Sequence, residues 1–167
     1  MGSIDWGKAE IVDWVKANFP KGATCLDVGA CDGKWARLLG DYLVMDAVEI
    51  FQENISLHRL SEKYRNVTWG DIANHEYEWY DLIIFGDVIE HMTVGKAQRA
   101  LSYAMPRCKD IIIAIPYLWS QGAIYGNPYE VHIQNDLTPS VFKERYGEWE
   151  ELIPHANDYG YYHKCKL

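Results

Sequence analysis

The chain has no pair of cysteines at Cys-x-x-Cys spacing. Its four cysteines, Cys25, Cys31, Cys108 and Cys165, are scattered. The N-terminus, MGSIDWGKAEIVDWVKANF, has no basic segment followed by an apolar block, so it does not read as a secretory signal. The thiols are therefore expected to be reduced and the protein cytoplasmic. The glycosylation sequons at Asn54-Ile-Ser56 and Asn66-Val-Thr68 then carry no meaning. Long apolar runs are absent too, and no stretch approaches the roughly 20 residues of a membrane span, so no membrane partner is expected. Runs of Lys and Arg are missing. With 16 basic and 24 acidic residues the formal charge is -8, an acidic balance that repels phosphate backbones and argues against nucleic acid as a partner. There is no internal repeat, no low-complexity segment and no linker.

What remains is an ordinary globular composition. The chain has 167 residues, 49% of them hydrophobic and 14% aromatic, enough for one domain (1–167) with a sizeable core. Ile11, Trp14, Val15 and Phe19 recur at helical spacing and place an N-terminal helix within residues 1–20. ATCLDVG, residues 23–29, reads as a buried strand stopped by glycine. Trp35, Leu38, Leu39 and Tyr42 would line a helix, and 43–50 a second strand. Leu57, Leu60 and Tyr64 would share the stripe of a helix over 54–64, followed by a strand at 66–71. YDLIIFGD, residues 80–87, is apolar enough for a central parallel strand. Thr93 would cap a helix carrying Ala97, Ala100, Leu101 and Ala104. A fifth strand follows at 110–117, and Thr138-Pro139 starts another helix. WEELI and YGYYHKCKL would close the chain as a pair of strands. Strands alternating with helices imply a mostly parallel sheet covered on both faces, with ligands at the carboxyl ends of strands.

Those strand ends carry the chemistry. The first ends in Asp27-Val-Gly29-Ala-Cys31-Asp-Gly33-Lys34. A dinucleotide fingerprint wants glycine at 29, 31 and 34, and only Gly29 complies. Asp27 and Asp32 would also set negative charge where a pyrophosphate docks on helix N-terminal amides. A cationic ligand without phosphate, such as S-adenosylmethionine, suits the loop better. The second strand ends in Glu49, positioned to accept both hydroxyls of a ribose. The third ends in Asp71-Ile72, where a carboxylate could accept from an adenine amino group with Ile72 against the ring. The fourth ends in Gly86-Asp87-Val-Ile-Glu90-His91, where a reacting methyl would lie.

Taken together, DVGACDG, VEI, GDI and YDLIIFGDVIEHM resemble, in order and spacing, the motifs of the class I S-adenosylmethionine-dependent methyltransferases, small-molecule type. The resemblance covers nearly the whole chain. It implies a Rossmann-like three-layer α/β/α sandwich with a seven-stranded, mostly parallel sheet of order 3-2-1-4-5-7-6, strand 7 antiparallel. It implies S-adenosyl-L-methionine as cofactor, S-adenosyl-L-homocysteine as product, and a cofactor site of Asp27, Gly29, Ala30, Gly33, Glu49, Ile50, Asp71, Ile72 and Asp87. The departure is Cys31 in place of glycine. That substitution is harmless unless the backbone there needs a positive φ, in which case the loop is strained or binding weakened.

Methyl transfer from a sulfonium needs mainly alignment and exclusion of water, with a general base for a hydroxyl or ammonium acceptor. His91, His132, Tyr117 and Glu130 are the candidates, the first three being the expected catalytic residues. His91 is equally readable as a helix-end histidine bonded to backbone, His132 as a loop anchor and Glu130 as a solvated charge. Residues 116–137, with Tyr117, Trp119, Tyr125, Tyr129, Gly122 and Gly126, read as a lid or acceptor pocket, or else as an aromatic patch over the core or a dimer contact. Asn127-Pro-Tyr129 resembles the Asn-Pro-Pro-Tyr of amino-methylating nucleic-acid enzymes but lacks a proline and lies far from the fourth strand. Asp87, Glu90 and His91 raise the idea of a metal, yet so short a cluster is not a specific signature, and none is expected. The expectation is therefore a monomeric or homodimeric enzyme methylating oxygen or nitrogen of a small molecule. The competing classes are a non-catalytic binder of the same cofactor and a nicotinamide oxidoreductase.

Overall fold

The computed structural model describes residues 5–154 and 158–165. The first four residues of the expected amphipathic N-terminus and the last two of the expected final strand lie outside the described residues.

Seven strands form one sheet: β1 (Thr24–Val28), β2 (Val44–Glu49), β3 (Val67–Trp69), β4 (Tyr80–Gly86), β5 (Cys108–Pro116), β6 (Glu150–Glu151) and β7 (Tyr159–Cys165). Their order is β3-β2-β1-β4-β5-β7-β6. The first five run parallel, and β7 is antiparallel to both β5 and β6. The helices are α1 (Lys8–Asn18), α2 (Lys34–Leu39), α3 (Gln52–Leu57), α4 (Val94–Ala104) and α5 (Pro139–Tyr146).

The sheet divides two cores. Along β4, Ile83 and Phe85 point into a core shared with Ala97, Ala100 and Leu101 of α4 and Phe142 of α5. Leu82 and Ile84 point into the other, which holds Ile11 and Val15 of α1 and Trp35 and Leu39 of α2. Period-two alternation on a strand that is apolar throughout is what a central strand buried on both faces requires. The caps are as expected: Thr93 accepts from the Lys96 amide and Thr138 from the Val141 amide, with Pro139 at the first turn.

Three local expectations need correction. The helix over 54–64 is broken: α3 stops at Leu57, Arg59 takes a left-handed conformation (φ 51°), and a 3-10 turn spans Leu60–Glu62. The kink buries Leu60 and Tyr64 but leaves Leu57 72% exposed, so the three never share one stripe. In α2 the helix ends before Gly40; Trp35 and Leu39 are buried while Leu38 is exposed. The third strand is shorter than 66–71 and the sixth is only two residues long. At Arg59 the left-handed residue shifts the phase that the periodicity had assumed.

Candidate functional site

A cavity of about 340 Å³ opens at the carboxyl edge of the parallel strands, beside the switch point where β1 is flanked by β2 and β4. Its walls come from the β1–α2 loop, the ends of β2 and β4, residues 70–72, and the segment after β5.

The loop after β1 turns through three left-handed residues: Gly29 (φ 70°), Cys31 (φ 46°) and Gly33 (φ 77°). The condition set by the sequence is met, since position 31 does take a positive φ on a residue with a Cβ. Such a residue costs about 1–2 kcal/mol relative to glycine. The strain is held by partners. The Gly29 amide donates to the Val48 carbonyl at 2.8 Å and the Cys31 amide to Glu49 Oε2 at 2.8 Å. A Cβ on Gly29 would lie 2.7 Å from Val88 Cγ2, so the close packing of loop on strand end needs glycine. The Cys31 thiol approaches Glu130 Oε1 (3.9 Å), and burial together with Glu130 and Glu49 pushes its pKa up to about 12.

Glu49 is 3% exposed, yet it lines the cavity. Its Oε1 accepts from the Phe51 amide at 2.8 Å and from Asn54 at 3.4 Å, which fixes the carboxylate. Burial raises its pKa, against the lowering effect of the two amides. Each oxygen retains a further lone pair for a ligand hydroxyl. Ile50 adjoins it on the wall. Asp71 accepts from the Ala73 amide and forms an ion pair with Lys96 at 2.7 Å; Ile72 is buried beside it. Asp87 follows β4 in a left-handed conformation (φ 57°). Its Oδ1 accepts from the Tyr159 hydroxyl at 2.5 Å, and Lys8 Nζ lies 3.7 Å from Oδ2. Lys8 is itself buried beneath the rings of Trp35, Tyr159 and Tyr161, and that desolvation lowers its pKa, opposed by Asp87.

At the far end stand Glu90, His91 and His132. His91 Nδ1 faces the Val131 carbonyl at 3.2 Å, and His132 Nδ1 the Trp119 carbonyl at 2.8 Å. The rings meet edge to face at 4.7 Å. Burial lowers the pKa of both. Glu90 is fully buried, and neither of its carboxylate oxygens has a hydrogen-bond partner. Burial, with Asp87 nearby, raises its pKa well above the ordinary value. The segment after β5 is stitched to this turn, since the Ile133 and Gln134 amides donate to the Glu90 carbonyl and Gln134 Nε2 to the carbonyls of Ile89 and Met92.

Gly29, Ala30, Glu49, Ile50, Asp71, Ile72, Asp87, His91 and His132 thus all reach the cavity wall. Three expected site residues do not. Asp27 is 1% exposed behind the loop, where it accepts from the Tyr64 hydroxyl at 2.5 Å; burial pushes its pKa up to about 7. Gly33 sits at the N-terminus of α2, over Lys63 and Leu60. Tyr117 turns into the core, where its hydroxyl pairs with that of Tyr162. In the 116–137 segment Trp119 and Tyr129 line the cavity, whereas Tyr125 is 97% exposed. Glu90, which the sequence placed in the strand end beside the expected reacting methyl, also lines the cavity. Sequence reasoning missed the caged Lys8, which leaves no signal in sequence because its place is set by burial. Seven wall residues carry a carboxylate against two lysines, Lys34 and Lys96, so the lining is acidic.

The sheet order, with its antiparallel seventh strand, is that of the class I S-adenosylmethionine-dependent methyltransferase fold. Among solved structures, the chain is similar to an S-adenosylmethionine-dependent methyltransferase from Clostridium acetobutylicum (13% identity, 96% of this chain and 91% of that one, TM-score 0.72). It is also similar to a TehB-like methyltransferase from Corynebacterium glutamicum (18%, 99% and 90%, TM-score 0.70). A third is the magnesium protoporphyrin IX methyltransferase of Synechocystis with bound S-adenosylmethionine (13%, 100% and 86%, TM-score 0.66). No protein-family model and no curated protein matches the sequence. Among the described residues no helix is long and apolar enough to cross a membrane.

Proposed function

We propose that the chain is a methyltransferase that uses S-adenosylmethionine to methylate oxygen or nitrogen of a small molecule, releasing S-adenosylhomocysteine. The observation that carries this reading is Glu49: a buried carboxylate fixed by two backbone amides at the end of β2, facing a cavity beside a tight left-handed loop. In this reading Glu49 accepts the two ribose hydroxyls. The acidic lining suits a cationic ligand better than a pyrophosphate. Ile50 and Ile72 bracket the adenine, with Asp71 at its amino group. Gly29 and Ala30 pass close beneath the amino-acid tail, whose ammonium Asp87 accepts. Asp27 and Gly33 act behind them, shaping the loop.

The cofactor supplies an electrophilic methyl on a sulfonium. The protein's share is alignment and exclusion of water. Trp119, Tyr129 and Glu130, from the 116–137 segment, wall the acceptor side as a lid. His91 and His132, kept neutral by burial, present the polar end of that pocket. Calorimetry tests the reading directly. Wild type should bind S-adenosylmethionine and S-adenosylhomocysteine, and Glu49→Ala should lose most of that affinity. No binding by wild type would sink the proposal. Binding without turnover across a panel of acceptors would assign a non-catalytic binding module instead, and preference for NADH an oxidoreductase.

A further inference from the structure

We infer that Glu90, His91 and His132 form a binding site for one divalent first-row transition-metal ion at the acceptor end of the cavity. The three residues come from two separate stretches of chain, the turn after β4 and the segment after β5. Each offers a ligand atom, and these atoms lie within 4.8 Å of one another. His91 Nε2 lies 3.9 Å from Glu90 Oε1.

Three observations support an ion here. Both histidines turn Nδ1 to a backbone carbonyl, which fixes the tautomer and leaves a basic Nε2 on each, the arrangement that metal-ligating histidines adopt. Glu90 is fully buried with both oxygens unpartnered, an unfavourable state for a carboxylate unless a cation or donor meets it. The carbonyls of Glu90, Ile89 and Met92 are tied to the Ile133 and Gln134 amides and the Gln134 side chain, so the two stretches are held together without the ion.

Two imidazoles and one carboxylate suit Zn²⁺, Co²⁺, Mn²⁺ or Fe²⁺ better than Mg²⁺ or Ca²⁺, which prefer oxygen. Bonds of about 2.1 Å would draw tetrahedral ligand atoms to about 3.4 Å apart, a contraction within reach of small side-chain rotations. Three protein ligands leave a position open for the acceptor. Resting on the reading above, the inference narrows the acceptor to a molecule that presents a hydroxyl. The ion would hold that oxygen and favour loss of its proton to water; the oxygen then bonds the methyl carbon as the carbon–sulfur bond breaks, its electron pair leaving as a neutral thioether. The histidines then serve as ligands and not as a general base.

The test uses the full chain, stripped with chelator and titrated with Co²⁺ and Zn²⁺ by calorimetry and, for Co²⁺, by visible absorption. One equivalent should bind per chain, with a ligand-field spectrum that includes nitrogen donors. Glu90→Gln and His132→Gln should each weaken binding at least tenfold. S-adenosylhomocysteine affinity, measured without metal, should stay within about twofold, which certifies folding and separates this test from that of the cofactor reading. Cys165→Ser should bind as wild type does. No binding at millimolar metal would overturn the inference, as would undiminished binding in the His91→Ala/His132→Ala double variant or loss of binding in Cys165→Ser.

Discussion

Asp27→Asn should stabilise the protein, and more so at alkaline pH. Asp27 lies beneath the β1–α2 loop, 1% exposed, and accepts from Tyr64. Burial moves its pKa from 3.8 to about 7, opposed by the Tyr64 hydroxyl and reinforced by Glu49. An acid whose folded pKa lies above its unfolded one holds more protons in the native state, so stability falls as pH rises. That contribution is fully present below about pH 3.8, declines through the interval, and is lost above about pH 7. At about 1.4 kcal/mol per pH unit the full loss is about 4 kcal/mol, and more than half of it falls between pH 5 and pH 8. Asparagine has no proton to lose and can still accept from Tyr64. The stability difference, variant minus wild type, should therefore grow by about 2–3 kcal/mol over that range. Urea unfolding followed by the fluorescence of the seven tryptophans measures it, and taking the difference at each pH cancels every other titrating group. A difference that is the same at pH 5 and pH 8 would show that Asp27 ionises normally, with Lys8 or an internal water meeting its charge.

Cys31→Gly removes about 1–2 kcal/mol of left-handed strain against about 0.5–1 kcal/mol of added chain entropy. It should gain between about 0 and about 1.5 kcal/mol and preserve or tighten S-adenosylmethionine binding, whereas Cys31→Val should lose stability; equal urea midpoints for the two would refute the strained loop. Gly29→Ala places a Cβ 2.7 Å from Val88 Cγ2 at a φ of +70°. It should cost about 1–3 kcal/mol and weaken S-adenosylhomocysteine binding in calorimetry, so unchanged affinity would show that the loop does not approach the ligand. Glu49→Ala forfeits two charge-assisted hydrogen bonds and should weaken S-adenosylhomocysteine binding about 100-fold; a loss under threefold would place the ribose elsewhere. Tyr117→Phe should cost about 1 kcal/mol of stability and leave the affinity alone, while a selective loss of turnover in a stable variant would return Tyr117 to the site.

Much of the fold was legible because period is a local property. The apolar block Leu82–Phe85 could only be a central strand, and Thr93 and Thr138 announced their helices. What failed locally failed at breaks: the left-handed Arg59 rotated Leu57 out to solvent, and no periodicity encodes a single residue's φ. At the site, Glu49, Asp71 and Asp87 were legible because each ends or closely follows a strand, and strand ends converge on one edge in a parallel sheet. Whether a residue at a strand end faces the cavity or the core was not, as Asp27 and Tyr117 show.

By itself, then, the sequence determined the succession of strands and helices, the acidic balance, and which residues close each strand. Only the tertiary structure decided the rest: that Cys31 takes a positive φ, that Asp27 is buried, and that His132, 41 residues beyond His91 in the chain, meets it and Glu90. The physical reason is that burial and encounter between distant residues depend on how β5 and its following segment pack back over the end of β4, and that is fixed by the whole core rather than by any stretch of neighbours.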